Sequence, residues 1–219
     1  MADLGTLGPT PPRRADGPLL LADIGGYTAF LRAVATAHED DAFANGAIPD
    51  AYAMMSSLLD GIVGRLVPPF ALAKLEGDAV FAYSTDASTL PAGAGLRSCI
   101  EACYAEFRSR LDAAHDVWTC TCDACLRIES LELKFILHAG PFVIQEIAGH
   151  AELVGPDVVM AHRLLKNEAE ALLGHGAYAL LTAAAVERFG VPTDGASRLV
   201  ARYEHYPPID TFLFPLRAA

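Results

Sequence analysis

Apolar side chains recur at helical spacing along several stretches of this chain. In the clearest stretch, 50–66, the recurring residues are Met54, Met55, Leu58, Leu59, Ile62, Val63 and Leu66. Such a stripe is the buried face of an amphipathic helix. A second stripe predicts a helix over about 92–114, and shorter stretches predict helices over 27–38, 158–173 and 183–189.

Short apolar runs bounded by glycine or proline predict the strands. The first run covers 19–24 and ends in a carboxylate followed by two glycines. A hairpin is predicted from 70–75 and 79–83, which flank Glu76-Gly77-Asp78. The remaining runs predict strands over 131–139, 142–147 and 178–182, and a last pair within 198–216 that breaks at Pro207-Pro208.

The order of these elements, β-α-α-β-β-α-β-β-α-β-α-β-β, is typical of an α+β fold. We predict one mostly antiparallel sheet with helices packed largely on one of its faces. A flexible tail over 1–17, rich in glycine and proline, is expected to precede a single domain over 18–219.

Charge and cysteine usage narrow the classes of partner. The formal net charge of −11 provides no basic field to attract nucleic acid or an anionic membrane surface, so neither is expected as a partner. The apolar run over 18–24 is too short to span a bilayer, and the start of the chain does not read as a signal peptide. Five cysteines, an odd and clustered set, fit a reducing cytoplasm better than a disulfide framework.

Two carboxylates next to glycines are the main candidates for chemistry. Asp23 ends the first strand beside Gly25-Gly26, and Asp78 lies in the turn of the central hairpin. Taken singly, each has an ordinary interpretation as a residue near a helix cap or in a solvated turn. If the two strands are neighbours, both carboxylates meet at one edge, where a divalent cation would offset their repulsion.

Four motifs in order make the chain resemble the catalytic domains of class III nucleotidyl cyclases. They are Ala22–Phe30 (ADIGGYTAF), Lys74-x-x-Gly77-Asp78, Leu137-His138-Ala139-Gly140, and Gly155 followed by Ala161–Leu164. The resemblance covers roughly residues 19–185 and is strongest with an uncharacterised bacterial subgroup of cyclase-like domains. It implies a ferredoxin-like α+β cyclase fold and conversion of a nucleoside triphosphate, with ATP expected, to a 3′,5′-cyclic nucleotide and pyrophosphate.

The resemblance also implies roles for individual residues. Asp23, Asp78 and the carbonyl of Ile24 would hold two Mg²⁺ or Mn²⁺ ions. Backbone N–H groups of Gly25, Gly26, Tyr27 and Thr28 would bind phosphate. Lys74 and Glu152 would read the base, and Arg163 would stabilise transition-state charge. Cyclases of this class form head-to-tail homodimers with sites at the interface, so Arg163 would serve the metals of the other chain.

One position departs from the cyclase pattern. Cyclases carry an asparagine four residues before the transition-state arginine, and this chain has Val159 there. Valine cannot hydrogen-bond the ribose, so two alternatives to a working cyclase stay open. One is an impaired cyclase-like regulator that binds nucleotide or a partner protein. The other is a zinc-stabilised interaction module.

A cysteine-rich insertion covers about 115–127. Cys120, Cys122 and Cys125 have spacing that permits three thiolates on one Zn²⁺, whereas a structural zinc site needs four ligands. The candidates for the fourth ligand are His115, Cys103 and a cysteine from a second subunit. Packed free thiols and a redox pair are the alternatives.

Overall fold

The computed structural model describes residues 11–39, 46, 48–117 and 120–217, apart from the side chains of 115–117. The described strands are β1 (Arg13–Gly25), β2 (Ala71–Glu76), β3 (Ala79–Tyr83), β4 (Glu132–Ile147), β5 (His150–Val154), β6 (Tyr178–Thr182), β7 (Ser197–Ala201) and β8 (Ile209–Pro215). The described helices are α1 (Tyr27–Ala37), α2 (Asp50–Leu66), α3 (Ala94–Val117), α4 (Asp123–Leu126), α5 (Pro156–Arg163), α6 (Ala169–Leu173) and α7 (Ala183–Phe189).

The strands form one sheet in the order β2-β3-β1-β4-β6-β8-β7, and β5 pairs with the far end of β4. Every pairing is antiparallel except that of β4 with β6. One core lies between the sheet and α1, α2, α3, α4 and α7, and a second core lies under α5 and α6 on the opposite face. The predicted α+β class and the mostly antiparallel sheet are confirmed, with helices on both faces. No helix in the described part of the chain is long and apolar enough to cross a membrane.

β4 is one continuous strand, which corrects the predicted pair over 131–139 and 142–147. Its residues 134–137 pair with β6 and its residues 143–147 pair with β5, while β1 pairs along nearly all of it. Pro141 lies between those two segments, opposite Asp16 of β1. A proline is tolerated in a strand where a neighbouring strand is missing, because its lost N–H then costs little. The strand that follows β4 is β5, which the sequence pattern does not predict.

The sheet starts at Arg13, inside the segment 1–17 predicted to be a flexible tail. Residues 13–17 pair with β4, and Asp16 forms an ion pair with Arg188 of α7. A Cβ at Gly17 would lie 2.0 Å from the Ser84 carbonyl oxygen, so glycine permits this close approach. The tail prediction was therefore wrong for residues 13–17, and residues 1–10 lie outside the described part of the chain.

The predicted helix over 158–173 is two helices, α5 and α6, separated at Asn167. The Asn167 side chain donates to the Leu164 carbonyl at 2.7 Å and accepts from the Ala169 N–H at 2.8 Å. Asparagine offers the backbone these local bonds as an alternative to a continuous helix. Its amide also donates to the hydroxyl of buried Tyr178 at 3.0 Å, which fixes the break against the sheet.

Removing the Asn167 side chain should destabilise the fold. Asn167→Ala deletes both the backbone bonds and the Tyr178 contact, so we expect the free energy of unfolding to fall by about 1–2 kcal/mol. Urea denaturation measures this change. Asn167→Asp keeps the acceptor for the Ala169 N–H, so its free energy of unfolding should lie between those of Asn167→Ala and the unmodified protein. Equal midpoints for Asn167→Ala and the unmodified chain would contradict this role.

Candidate functional site

The pairing of β1 with β3 brings Asp23 and Asp78 to the same edge of the sheet. Asp23 lies opposite Ala79, the residue after Asp78, and the Ile24 N–H donates to the Asp78 carbonyl at 3.2 Å. Burial, followed by the charge of Asp78, raises the pKa of Asp23 from 3.8 to about 6. Burial also raises the pKa of Asp78. Two partly buried carboxylates that disfavour joint ionisation are a donor set suited to Mg²⁺ or Mn²⁺, which prefer oxygen ligands.

Lys134 is a charged neighbour of these carboxylates that the sequence motifs do not identify. It lies opposite Asp23 in the β1–β4 register, and its ammonium acts to lower the pKa of both Asp23 and Asp78. The ammonium also pairs with Glu170 in the first turn of α6. Burial opposes the charged form, but the bond to Glu170 leaves the pKa of Lys134 raised. The available signal is a lysine between the apolar residues Leu133 and Phe135 of a predicted strand.

Gly25 and Gly26 form the turn between Asp23 and α1. A Cβ at Gly25 would lie 2.7 Å from Cε of Lys134, so a larger residue would require the end of that side chain to move. Gly26 has φ of 87° and precedes the helix without a side-chain cap. The first-turn N–H groups of α1, at Tyr27 and Thr28, therefore meet no capping side chain, and such groups favour anions. The pKa of Tyr27 is raised by burial and then by the charge of Asp78.

A second group of predicted residues lies around the end of β2. The Lys74 ammonium is 3.3 Å from Glu152 of β5 and 3.2 Å from Glu76. The hydrogen bond with Glu76 is the main reason that the pKa of Lys74 is raised. Glu76 also accepts a hydrogen bond from Nε2 of His162 at 2.8 Å. The predicted base-reading pair is thus one cluster with Glu76 and His162, neither of which the sequence singles out.

Arg163 and Val159 lie one turn apart on α5. They line a shared groove with His162, Lys166 and Tyr203, and the Arg163 guanidinium lies 5.7 Å from the centre of the Tyr206 ring. Val159 is 47% exposed, an exposure at which an asparagine could reach a bound molecule. Within one chain the predicted residues therefore form two groups, the carboxylates beside α1 and the Lys74–Arg163 surface beside α5.

The three insertion cysteines lie around a residue that the sequence does not predict as a ligand. Nε2 of His38 lies 3.4–3.5 Å from the sulfur atoms of Cys120, Cys122 and Cys125. Cys103, a predicted fourth ligand, is instead buried, with its thiol 3.9 Å from the Ile62 carbonyl. The side chain of His115 lies outside the described residues. The signal that was available for His38 is its position at the end of the helix predicted over 27–38.

A family model described as a protein of unknown function, DUF2652, matches residues 55–172, which is more than half of the chain. The chain belongs to the DUF2652 family. The uncharacterized protein Rv2561/Rv2562 of Mycobacterium tuberculosis is 32% identical to this DUF2652 member over 116 residues. That match covers 52% of each protein, so the chain spans about half of its relative's length.

Solved structures share the fold of this DUF2652 protein. The adenylyl cyclase CyaB of P. aeruginosa matches with a TM-score of 0.61 at 13% identity, covering 96% of this chain and 98% of that one. A class III adenylyl cyclase-like ATP-binding protein from Pseudomonas aeruginosa matches with a TM-score of 0.57 at 16% identity, over 87% of this chain and 38% of that one. The class III cyclase fold implied by the motifs is confirmed. At these identities the likeness concerns the fold alone.

Neutralising Asp23 should change how stability depends on pH when no metal is present. A carboxyl group whose pKa rises on folding stabilises the folded state below its unfolded pKa, and this contribution is lost as pH rises through the folded value. For Asp23 that window runs from about pH 4 to about pH 6. With EDTA present, the free energy of unfolding of the unmodified protein should fall by on the order of 2 kcal/mol relative to that of Asp23→Asn between pH 4 and pH 6.

Denaturant titrations at fixed pH values measure this difference. Asp194→Asn, which alters an exposed carboxylate, is the matched control and should follow the unmodified protein. Parallel stability curves for Asp23→Asn and the unmodified protein between pH 4 and pH 6 would show that folding does not raise the pKa of Asp23.

Proposed function

We propose that this DUF2652 protein is a nucleotidyl cyclase that converts a nucleoside triphosphate, with ATP as the expected substrate, to a 3′,5′-cyclic nucleotide and pyrophosphate. The observation that carries the proposal is the meeting of Asp23 and Asp78 beside a glycine turn that opens a helix. This arrangement occurs on a fold shared with known cyclases. A carboxylate pair beside free N–H groups suits a triphosphate that arrives with its cations.

Asp23 and Asp78, with the Ile24 carbonyl, would hold two Mg²⁺ or Mn²⁺ ions. When bound, these ions supply charge that favours ionisation of the ribose 3′-hydroxyl and that neutralises the triphosphate. The backbone N–H groups from Gly25 to Thr28 bind phosphate oxygens. Lys134 pairs with Glu170, and its positive charge also lowers the pKa of both carboxylates and so partly compensates them when cations are absent.

Lys74 and Glu152 bind the base in this proposal. Lysine donates a hydrogen bond and glutamate accepts one, which matches N1 and the exocyclic amine of adenine. Their ion pair, together with the bonds through Glu76 to His162, holds both side chains in place before nucleotide arrives. ATP is therefore the preferred substrate in the proposal.

The reaction forms one bond and breaks one. The ribose 3′-oxygen bonds to the α-phosphorus while its proton passes to solvent. The bond from that phosphorus to the oxygen bridging the α- and β-phosphates breaks, and pyrophosphate leaves with that oxygen. Arg163 donates to the α-phosphoryl oxygens as negative charge builds up on them. Because the carboxylates and Arg163 belong to separate groups in one chain, a head-to-tail homodimer would complete two sites, each with groups from both chains.

Val159 supports a second candidate function, a cyclase-like protein that binds nucleotide with little or no turnover. An exposed valine on the Arg163 face supplies no hydrogen bond to a ribose. Loss of one transition-state donor costs about 100- to 1000-fold in rate. A solved relative in fold is itself described as an adenylyl cyclase-like ATP-binding protein. In this alternative the protein acts as a regulator through its nucleotide-bound state.

The purified protein should form cyclic AMP from ATP in the presence of Mn²⁺. Asp23→Ala removes a cation ligand and should lower the rate by at least about 100-fold, whereas Asp194→Ala should leave it unchanged. Chromatography of products from ATP, GTP, CTP and UTP provides the measurement. A folded dimer that yields no cyclic product from any of them refutes the cyclase proposal. Calorimetric binding of a non-hydrolysable triphosphate would then support the second candidate.

Restoring a hydrogen-bonding side chain at position 159 should accelerate the reaction. Val159→Asn is expected to raise kcat by about 10- to 100-fold, because it supplies a donor to the ribose in the transition state. Val159→Ala is the matched control, since it removes bulk without adding a donor, and its kcat should not rise. Equal rates for Val159→Asn and the unmodified enzyme would place this position outside the ribose site.

A further inference from the structure

One side-chain cluster is left unused by the proposed reaction. It is the Cys₃His cluster, formed by His38, Cys120, Cys122 and Cys125. The four candidate ligand atoms all lie within 4.8 Å of one another. Nε2 of His38 is 3.5 Å from the sulfur of Cys120 and 3.4 Å from the sulfurs of Cys122 and Cys125. A tetrahedral Zn²⁺ with bonds of about 2.3 Å to sulfur and about 2.0 Å to nitrogen separates those atoms by about 3.5 Å. The side chains already have the spacing of a coordination shell.

We propose that the Cys₃His cluster binds one Zn²⁺ ion in a closed structural site. Three thiolates and an imidazole are a donor set that selects zinc over the hard cations suited to Asp23 and Asp78. Four protein ligands leave no position for water or substrate, so the site stabilises structure and carries out no reaction.

Contacts around the cluster fit bound thiolates. The Cys125 N–H donates to the Cys122 sulfur at 3.4 Å, and the Cys122 side chain caps the start of α4. Cys125 is buried, and the other three members are half-buried. Zn²⁺ with three thiolates has a net charge of −1, and the charged residues lining the adjacent groove, Arg32, Arg127 and Asp123, together carry a formal charge of +1.

The site joins two segments that are distant in sequence. His38 follows the last residue of α1, an 11-residue helix about 16 Å long whose other end adjoins the Gly25-Gly26 turn. The cysteines precede β4, the strand that carries Lys134. Phe30 and Val34 are the fully buried side chains of α1, and Tyr27, Leu31 and Ala33 also pack against the core, so the apolar contacts of the helix end about one turn before His38. Zinc therefore fixes the far end of the helix whose near end forms the candidate phosphate site.

Metal analysis and X-ray absorption spectroscopy of the purified full chain test the proposal. We expect one zinc per chain, with about three sulfur ligands at ~2.3 Å and one nitrogen at ~2.0 Å. His38→Cys should retain zinc with four sulfur ligands. His38→Ala should weaken zinc binding by more than the roughly 10- to 100-fold that loss of an outer-shell partner costs.

Two exposed or remote substitutions serve as controls. His205→Ala changes an exposed histidine, and Cys99→Ser changes a cysteine outside the cluster; both should keep zinc and its spectrum. Hydrogen exchange adds a readout that needs no nucleotide, since chelation should speed exchange along α1 more than along α2.

Several results would overturn the zinc site. The first is a folded chain that contains no stoichiometric zinc and does not take up added Zn²⁺. The second is a coordination shell without a nitrogen ligand. The third is a disulfide bond within the cluster in the purified protein. None of these results depends on nucleotide binding or turnover. The zinc proposal and the cyclase proposal can therefore fail independently.

Discussion

The register of β1 between β3 and β4 is the constraint on which the candidate site depends. It places Asp23 opposite Ala79 on one side and opposite Lys134 on the other, so two acids and a base meet at one edge of the sheet. Side chains alternate faces along a strand, so a slip of one residue would turn Asp23 into the opposite core. The long apolar pairing of β1 with β4 makes such a slip costly, and the backbone thereby holds together charges that repel each other.

Charge compensation explains how the fold tolerates this arrangement. Asp23 and Asp78 are partly buried and their pKa values are raised, yet Lys134 lies across from them and is itself bound by Glu170. Without metal, one ammonium partly offsets the charge of Asp23 and Asp78 while it pairs with Glu170. The remaining negative charge is what divalent cations would neutralise. The pairing of β1 with β3 therefore brings the carboxylates together, and its pairing with β4 adds the cation that partly offsets them.

The sequence predicts best what depends on local periodicity. The stripe over 50–66 coincides with α2, and the Asp23 and Asp78 motifs imply the cyclase fold. Prediction from the sequence fails where a role depends on side-chain contacts beyond the local hydrophobic pattern. Asn167 ends a helix through bonds to Leu164 and Tyr178, which hydrophobic spacing does not register. Lys134 and His38 acquire their roles from strand register and from a contact over more than 80 residues of sequence, neither of which has a local signature.

α1 links the two candidate sites. Its first turn follows Gly26 beside the carboxylates, and its last turn leads into His38 among the cysteines. A helix transmits displacement along its axis better than a loop does, because its hydrogen bonds fix the rise per residue. The apolar contacts of α1 with the core end at Val34, about one turn before His38. The zinc proposed at the C-terminal end would restrain the rest of the helix, which would give the cysteine insertion a structural reason to lie beside a helix that starts at the candidate phosphate site.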